Sequence, residues 1–141
     1  MMKPKANLFL IGAAKSGTTS LAATLAKHPA IAPLPIKEPG HFSTDLRTPL
    51  FTTQYNRLLQ WDEDTYFKKA PLEERHIGFV ESEENYQKLV DQAVATYPEH
   101  TYLLDASTAY LYSAKAPVEL RHYAPDAKIV LLLRNPIDRA Y

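Results

Sequence analysis

The sequence predicts an α/β domain built on a P-loop-like parallel sheet flanked by helices. Three observations lead there. The stretches from Leu8 to Ile11, "TYLLDAS" and "KIVLLLR" carry short apolar runs that suit strands buried in a parallel sheet. Segments of helical period lie between them, so strands and helices alternate. The first run enters a loop bounded by Gly12 and Gly17, and that loop opens a helix.

From Thr18 the pattern is helical. Leu21 and Leu25 are four apart with Ala22 and Ala26 beside them, and His28-Pro29 stops the helix. Those small alanines let it pack closely on a sheet. The segment "APLPIKEPGHFSTD" follows. Pro33, Pro35 and Pro39 rule out regular helix there and limit any strand to a short edge piece. Positions 46 to 78 are polar and aromatic, with helical pieces expected at 53–60 and 64–69.

Ser82 opens a clear helix, with Glu83 and Glu84 at its positive end. Tyr86, Leu89, Val90, Ala93, Val94 and Tyr97 share one face and read as core, and Pro98 ends the helix. After the "TYLLDAS" strand, "KAPVELRHYAP" reads as a helix with Pro117 in its first turn. "KIVLLLR" reads as the strongest strand, and "NPIDRAY" as the first turn of a further helix, with Asn135 capping and Pro136 at the first helical position. About three central strands are visible, with no internal repeat and no dividing linker.

Composition narrows the function. Of the 141 residues, 45% are hydrophobic and 23% charged, which describes a globular domain. Sixteen basic and sixteen acidic residues give a formal net charge of zero, which argues against a protein that coats nucleic acid. With no cysteine, disulfides, thiolate nucleophiles and cysteine-bound zinc are excluded. The five histidines show no metal-ligand spacing, so no metal is expected. The apolar run before Gly12 is too short for a signal-peptide core, and no run approaches a membrane span. The expected compartment is the cytoplasm.

The chemistry concentrates at the loop "GAAKSGTT". It has the glycine separation of a P-loop, but Thr18 stands where the P-loop lysine belongs, and Lys15 lies inside the loop. A loop between a buried strand and a helix N-terminus offers N–H groups and a positive dipole, so an anion site is expected. Lys15 adds a charge, and Ser16, Thr18 and Thr19 add hydroxyls. The rival reading is an ordinary strand–helix turn with polar residues facing solvent. Arg134 ends the last strand, where open α/β sheets bind ligands, and arginine suits phosphate. Its rival reading is a surface residue at a sheet edge.

In combination these stretches resemble a known family. "GAAKSGTTSL" is similar to the 5′-phosphosulfate loop of sulfotransferases that use 3′-phosphoadenosine 5′-phosphosulfate (PAPS). "KIVLLLRNPIDRAY" resembles their 3′-phosphate motif. "PIKEPGHFS" and "LLDASTAYL" resemble two segments of the branch that includes heparan sulfate sulfotransferases and bacterial relatives. The four matches occur in family order and span nearly the whole chain.

The resemblance implies that Lys15 stabilises the leaving phosphate and that Ala14, Ser16, Gly17, Thr18 and Thr19 help cradle the 5′-phosphate. It also implies that Arg134 binds the 3′-phosphate and that Glu38 is the general base. His41 is the other candidate base, with packing as its rival role, and Glu38 has a rival role in holding the proline-rich turn. Asp105 is expected either to orient Lys15 or the acceptor, or to make a sheet-edge hydrogen bond. His28, His76, His100 and His122 read as surface or helix-end residues.

The implied partners are PAPS and a small-molecule or glycan acceptor. Residues 1–141 are expected to be the N-terminal part of one sulfotransferase domain. Its sheet edge at "KIVLLL" would be covered by self-association or by a C-terminal complement. A non-catalytic nucleotide-binding or interaction module and a P-loop kinase or NTPase are the alternatives.

Overall fold

A computed structural model describes residues 2–47 and 49–140. Its main sheet has four strands, β1 (Leu8–Leu10), β2 (Ile31–Pro33), β5 (Tyr102–Ala106) and β6 (Lys128–Val130), in the order β2-β5-β1-β6. All its pairings are parallel. Leu8 stands beside Leu104, Phe9 beside Asp105 on one side and Ile129 on the other, and Ala32 beside Leu103. A second, two-stranded parallel sheet joins β3 (Ile36–Glu38) to β4 (Arg75–Ile77).

Side chains along a strand alternate between faces, and this divides the core in two. Leu8, Leu10, Leu104 and Ala106 face α1 (Thr18–Leu25), where Ala22 is buried against them. Phe9, Ala32 and Leu103 face α4 (Glu83–Thr96), which contributes Tyr86, Leu89, Val90 and Ala93. Helix α5 (Ala116–Tyr123) adds Ala116 and Leu120 to this layer. The stripe read as core on α4 is therefore core. Its N-cap is Ser82, whose hydroxyl accepts the Asn85 N–H at 3.3 Å.

Between β3 and β4 lie α2 (Pro49–Leu59) and α3 (Glu63–Phe67), close to the expected helical pieces. Trp61 anchors this region. Its indole N–H donates to the Phe79 carbonyl at 2.9 Å, and the Arg75 guanidinium lies 5.0 Å from the Trp61 ring centroid.

The fourth strand of the main sheet, β2, is a short edge piece, as its prolines require, and it ends at Pro33. Proline is tolerated there because β2 is an edge strand, bonded on one side only. The β3–β4 sheet was not foreseen, since "IKE" and "RHI" are too short to show a period. The "KIVLLLR" segment is not the strongest strand. Only Lys128–Val130 joins the ladder, and its sole strand neighbour among the described residues is β1. Ile129, Leu133 and Ile137 stay 52%, 69% and 71% exposed as a result. Helix α6 (Pro136–Arg139) follows, capped by Asn135, whose Oδ1 accepts the Ile137 N–H at 2.9 Å.

Candidate functional site

The loop after β1 is pinned at its start. Ala13 N–H donates to Leu132 O at 2.7 Å, Leu132 N–H to Gly12 O at 2.9 Å, and Leu111 N–H to Ile11 O at 3.1 Å. From there the chain must turn sharply into α1. Gly17, the N-cap, does so at φ 90°, a conformation that side chains other than glycine rarely adopt. Lys15 is also left-handed, at φ 59°. For a lysine this conformation costs about 1–2 kcal/mol, and the pinned loop ends offset it. The result is an exposed ammonium beside a helix N-terminus whose first N–H groups lack intrahelical partners.

A cleft of about 460 Å³ opens beside this loop. Lys15, Gly17, Thr18 and Thr19 form one wall. Lys37, Glu38 and Gly40 come from β3 and the turn after it. His76, Ile77 and Phe79 come from β4 and beyond, and Thr108, Ala109 and Tyr112 from the 3-10 turn that follows β5 and its C-cap.

Glu38 is held from two sides. Its Oε1 lies 3.0 Å from Lys37 Nζ, and its Oε2 accepts the Thr108 N–H at 2.8 Å and the Thr108 hydroxyl at 3.3 Å. Both side chains of the pair are mostly buried, at 17% and 16% exposure. A carboxylate offers about four acceptor positions, so these three contacts leave room for one more donor. Glu38 thus ties β3 to the turn after β5 and still faces the cleft.

The other site residues sit as follows. Ala14 and Ser16 belong to the loop without lining the cleft, and Ser16 is buried. His41 lies outside the cleft lining. Its ring stacks on Tyr86 at 4.5 Å and 10°, and its Nδ1–H donates to the Val80 carbonyl at 2.8 Å. Burial lowers its pKa below the ordinary histidine value. Arg134 is exposed, does not line the cleft, and makes no hydrogen bond or ion pair with a described residue. It stands two positions past Leu132, the residue that pins the loop.

Asp105 departs from both expectations. It lies in a central strand, not at a sheet edge, and is fully buried. Oδ2 accepts the hydroxyls of Tyr86 at 2.8 Å and Tyr110 at 2.7 Å, and Oδ1 accepts that of Ser107 at 2.7 Å. Burial pushes its pKa up to about 6, against these hydrogen bonds.

Sequence reasoning missed several cleft residues. Thr108 carried one signal, a Ser-Thr pair just after a strand end. His76 and Phe79 carried none, because β4 and its neighbours have no visible period, and Tyr112 carried none because it follows a single 3-10 turn. Arg139 was also missed. Its guanidinium donates to the Tyr112 hydroxyl at 2.7 Å and so links α6 to the cleft wall. Among the described residues no group of three or more His, Asp or Glu could hold a metal ion.

Comparison with known proteins agrees with this architecture. The profile described as "Sulfotransferase family" matches residues 7–141. The crystal structure of a sulfotransferase from Alicyclobacillus acidocaldarius superposes with a TM-score of 0.74 at 30% identity, over 97% of this chain and 47% of that one. Two curated relatives are named bifunctional heparan sulfate N-deacetylase/N-sulfotransferase 1. The one from Caenorhabditis briggsae is 28% identical over 136 residues and that from Caenorhabditis elegans 27%, each over 96% of this chain. The chain spans 12% of the length of these two relatives.

Proposed function

Since the chain belongs to the sulfotransferase family, we propose that its cleft binds PAPS and directs the sulfuryl group to a hydroxyl or amine acceptor. One observation carries the reading. Lys15, on a helix-opening loop, and Glu38, on another strand, line the same cleft.

In-line transfer forms a bond from the acceptor oxygen or nitrogen to sulfur and breaks the bond from sulfur to the bridging phosphate oxygen. Adenosine 3′,5′-bisphosphate leaves. The acceptor's proton passes to Glu38, which Lys37 and Thr108 aim into the cleft. The Lys15 ammonium offsets the charge that develops on the leaving phosphate. N–H groups and hydroxyls of Ala14 to Thr19 hold the 5′-phosphate, and Arg134 takes the 3′-phosphate. His41 takes no part in transfer and serves packing against Tyr86.

The acceptor is a small molecule or a glycan, the second being the class that the relatives' name gives for them. A net charge of zero speaks against nucleic acid. Among the described residues no helix is long and apolar enough to cross a membrane, and a cytoplasmic location belongs to the same reading. So does the assignment of residues 1–141 to the N-terminal part of one sulfotransferase domain. The exposed β6 edge is where its remainder, or a second copy, would pack. The 47% coverage of the similar solved structure supports this.

A second reading, a nucleotide-binding module without turnover, is favoured by the contacts that Glu38 already makes with Lys37 and Thr108, which occupy the carboxylate that would act as base. Calorimetry with adenosine 3′,5′-bisphosphate tests the donor site. Wild type is expected to bind, and Lys15→Ala and Arg134→Ala each to bind at least roughly tenfold more weakly, as for loss of a charged hydrogen bond. Binding without sulfuryl transfer favours the second reading. Tighter binding of magnesium-ATP than of the bisphosphate would overturn both.

A further inference from the structure

Behind the cleft lies a polar cluster that the transfer chemistry leaves unused. Asp105 is buried with three hydroxyl donors, and one of them, Ser107, faces two ways. Its O–H donates to Asp105 Oδ1 at 2.7 Å, and the same oxygen accepts the Gly40 N–H at 3.1 Å. Gly40 lies two residues after Glu38 and lines the cleft. Thr108, next to Ser107, donates its N–H to Glu38. The pair Ser107-Thr108 therefore grips the segment Glu38-Pro39-Gly40 at two points, and Asp105 sets the orientation of one of them.

We propose that Asp105 is a positioning residue for Glu38. By holding the Ser107 hydroxyl as a donor, it turns the Ser107 lone pairs to the Gly40 amide and keeps the base-bearing segment in register with the turn after β5. The proposal rests on reading the Glu38 cleft as the transfer site.

The grip depends on the charge state of Asp105. An ionised carboxylate accepts from all three hydroxyls at once. A protonated one carries its own O–H, which must donate somewhere, so one of the three hydroxyls has to turn. Ser107 is alone on Oδ1, whereas Tyr86 and Tyr110 share Oδ2. The titratable groups facing Asp105 are Tyr86 from α4, Tyr110 from the 3-10 turn, Tyr123 from α5 and Glu38 from β3, with His41 stacked behind Tyr86. The phenols of Tyr86 and Tyr110 are held well above their ordinary pKa by burial, and that of Tyr123 is raised to about 12. They stay neutral while Asp105 titrates.

NMR on the 141-residue chain between pH 4.5 and 8 tests the relay. The Gly40 amide proton and the Asp105 carboxyl carbon are followed in wild type and in Ser107→Ala, which keeps the Asp105 charge and removes the relay. In wild type the Gly40 amide is expected to shift with the midpoint of Asp105. In Ser107→Ala the Asp105 titration is expected to remain and the Gly40 response to fall at least fivefold. A Gly40 response at the Asp105 midpoint that survives Ser107→Ala is a direct charge effect and overturns the proposal, as does a wild-type Gly40 amide with no step at that midpoint. Asp105→Asn adds a second check, since it should remove that step and leave only the response to the neighbouring His41, and a step that persists at the wild-type midpoint counts against the relay. Calorimetry with adenosine 3′,5′-bisphosphate is run on the same samples. Failure of that binding speaks against the donor reading and leaves the relay to be judged by its own signals.

Discussion

The Thr108 backbone N–H donates to Glu38 Oε2 at 2.8 Å, joining residues 70 positions apart. This bond aims a carboxylate on a three-residue strand into the cleft beside Lys15. Replacing Glu38 with Gln removes one negative charge and releases Lys37. Affinity for adenosine 3′,5′-bisphosphate should then rise roughly threefold, the scale of a partly exposed ion pair. Sulfuryl transfer should fall by roughly 100-fold or more, as for loss of a general base. Calorimetry and a transfer assay check the two halves separately, and unchanged turnover would remove Glu38 from the base role.

Gly40 makes the cleft wall sensitive to a single methyl group. Its φ is 57°, and an added Cβ would lie 2.7 Å from Phe79 Cδ1. Gly40→Ala therefore combines backbone strain with a steric clash, at a cost of about 2 kcal/mol or more. Thermal melting should drop by several degrees. A melting temperature equal to wild type would show that the Phe79 ring moves aside freely.

Asp105 should make stability fall as pH rises. Its folded pKa, about 6, lies above the ordinary carboxylate value. The folded chain thus holds a proton that the unfolded chain has released between about pH 4 and pH 6. The stability this contributes is complete below that window and lost above it, on the order of 3 kcal/mol for two pKa units. Urea unfolding of wild type and Asp105→Asn at pH 4 and pH 7 measures it. The difference between the two proteins should change by that amount, with wild type losing ground at pH 7.

His41 should act in the opposite direction. Burial against Tyr86 lowers its pKa, so below the ordinary histidine value of 6.5 the unfolded chain takes up a proton before the folded one. Stability from this group falls with acidity. His41→Phe keeps a ring for the stack and removes the charge. Because the Asp105 effect is common to both proteins, the unfolding free energy of His41→Phe should rise relative to that of wild type as pH falls from 7 to 5. An identical pH slope in the two proteins would place the acid sensitivity elsewhere.

The amino-acid sequence by itself determined the parallel α/β class, the loop Gly12 to Gly17 and the α4 core stripe. Each is a local matter: a buried strand needs an unbroken apolar run, a loop that turns into a helix needs Gly17, and a helix that buries one face needs a 3.6-residue period. Capping by Ser82 and Asn135 was legible for the same reason, because a cap and its N–H lie two or three residues apart. Only the tertiary structure decided what faces Lys15. Lys37 and Glu38, His76 and Thr108 come from three separate segments, two of them on strands too short to carry a pattern, and their meeting depends on pairings across dozens of residues. It also moved Asp105 from an expected sheet edge to the buried centre, since strand order is a property of the sheet and not of the strand. The same order left β6 at the rim with Ile129 exposed, although the segment it belongs to is among the most apolar in the chain.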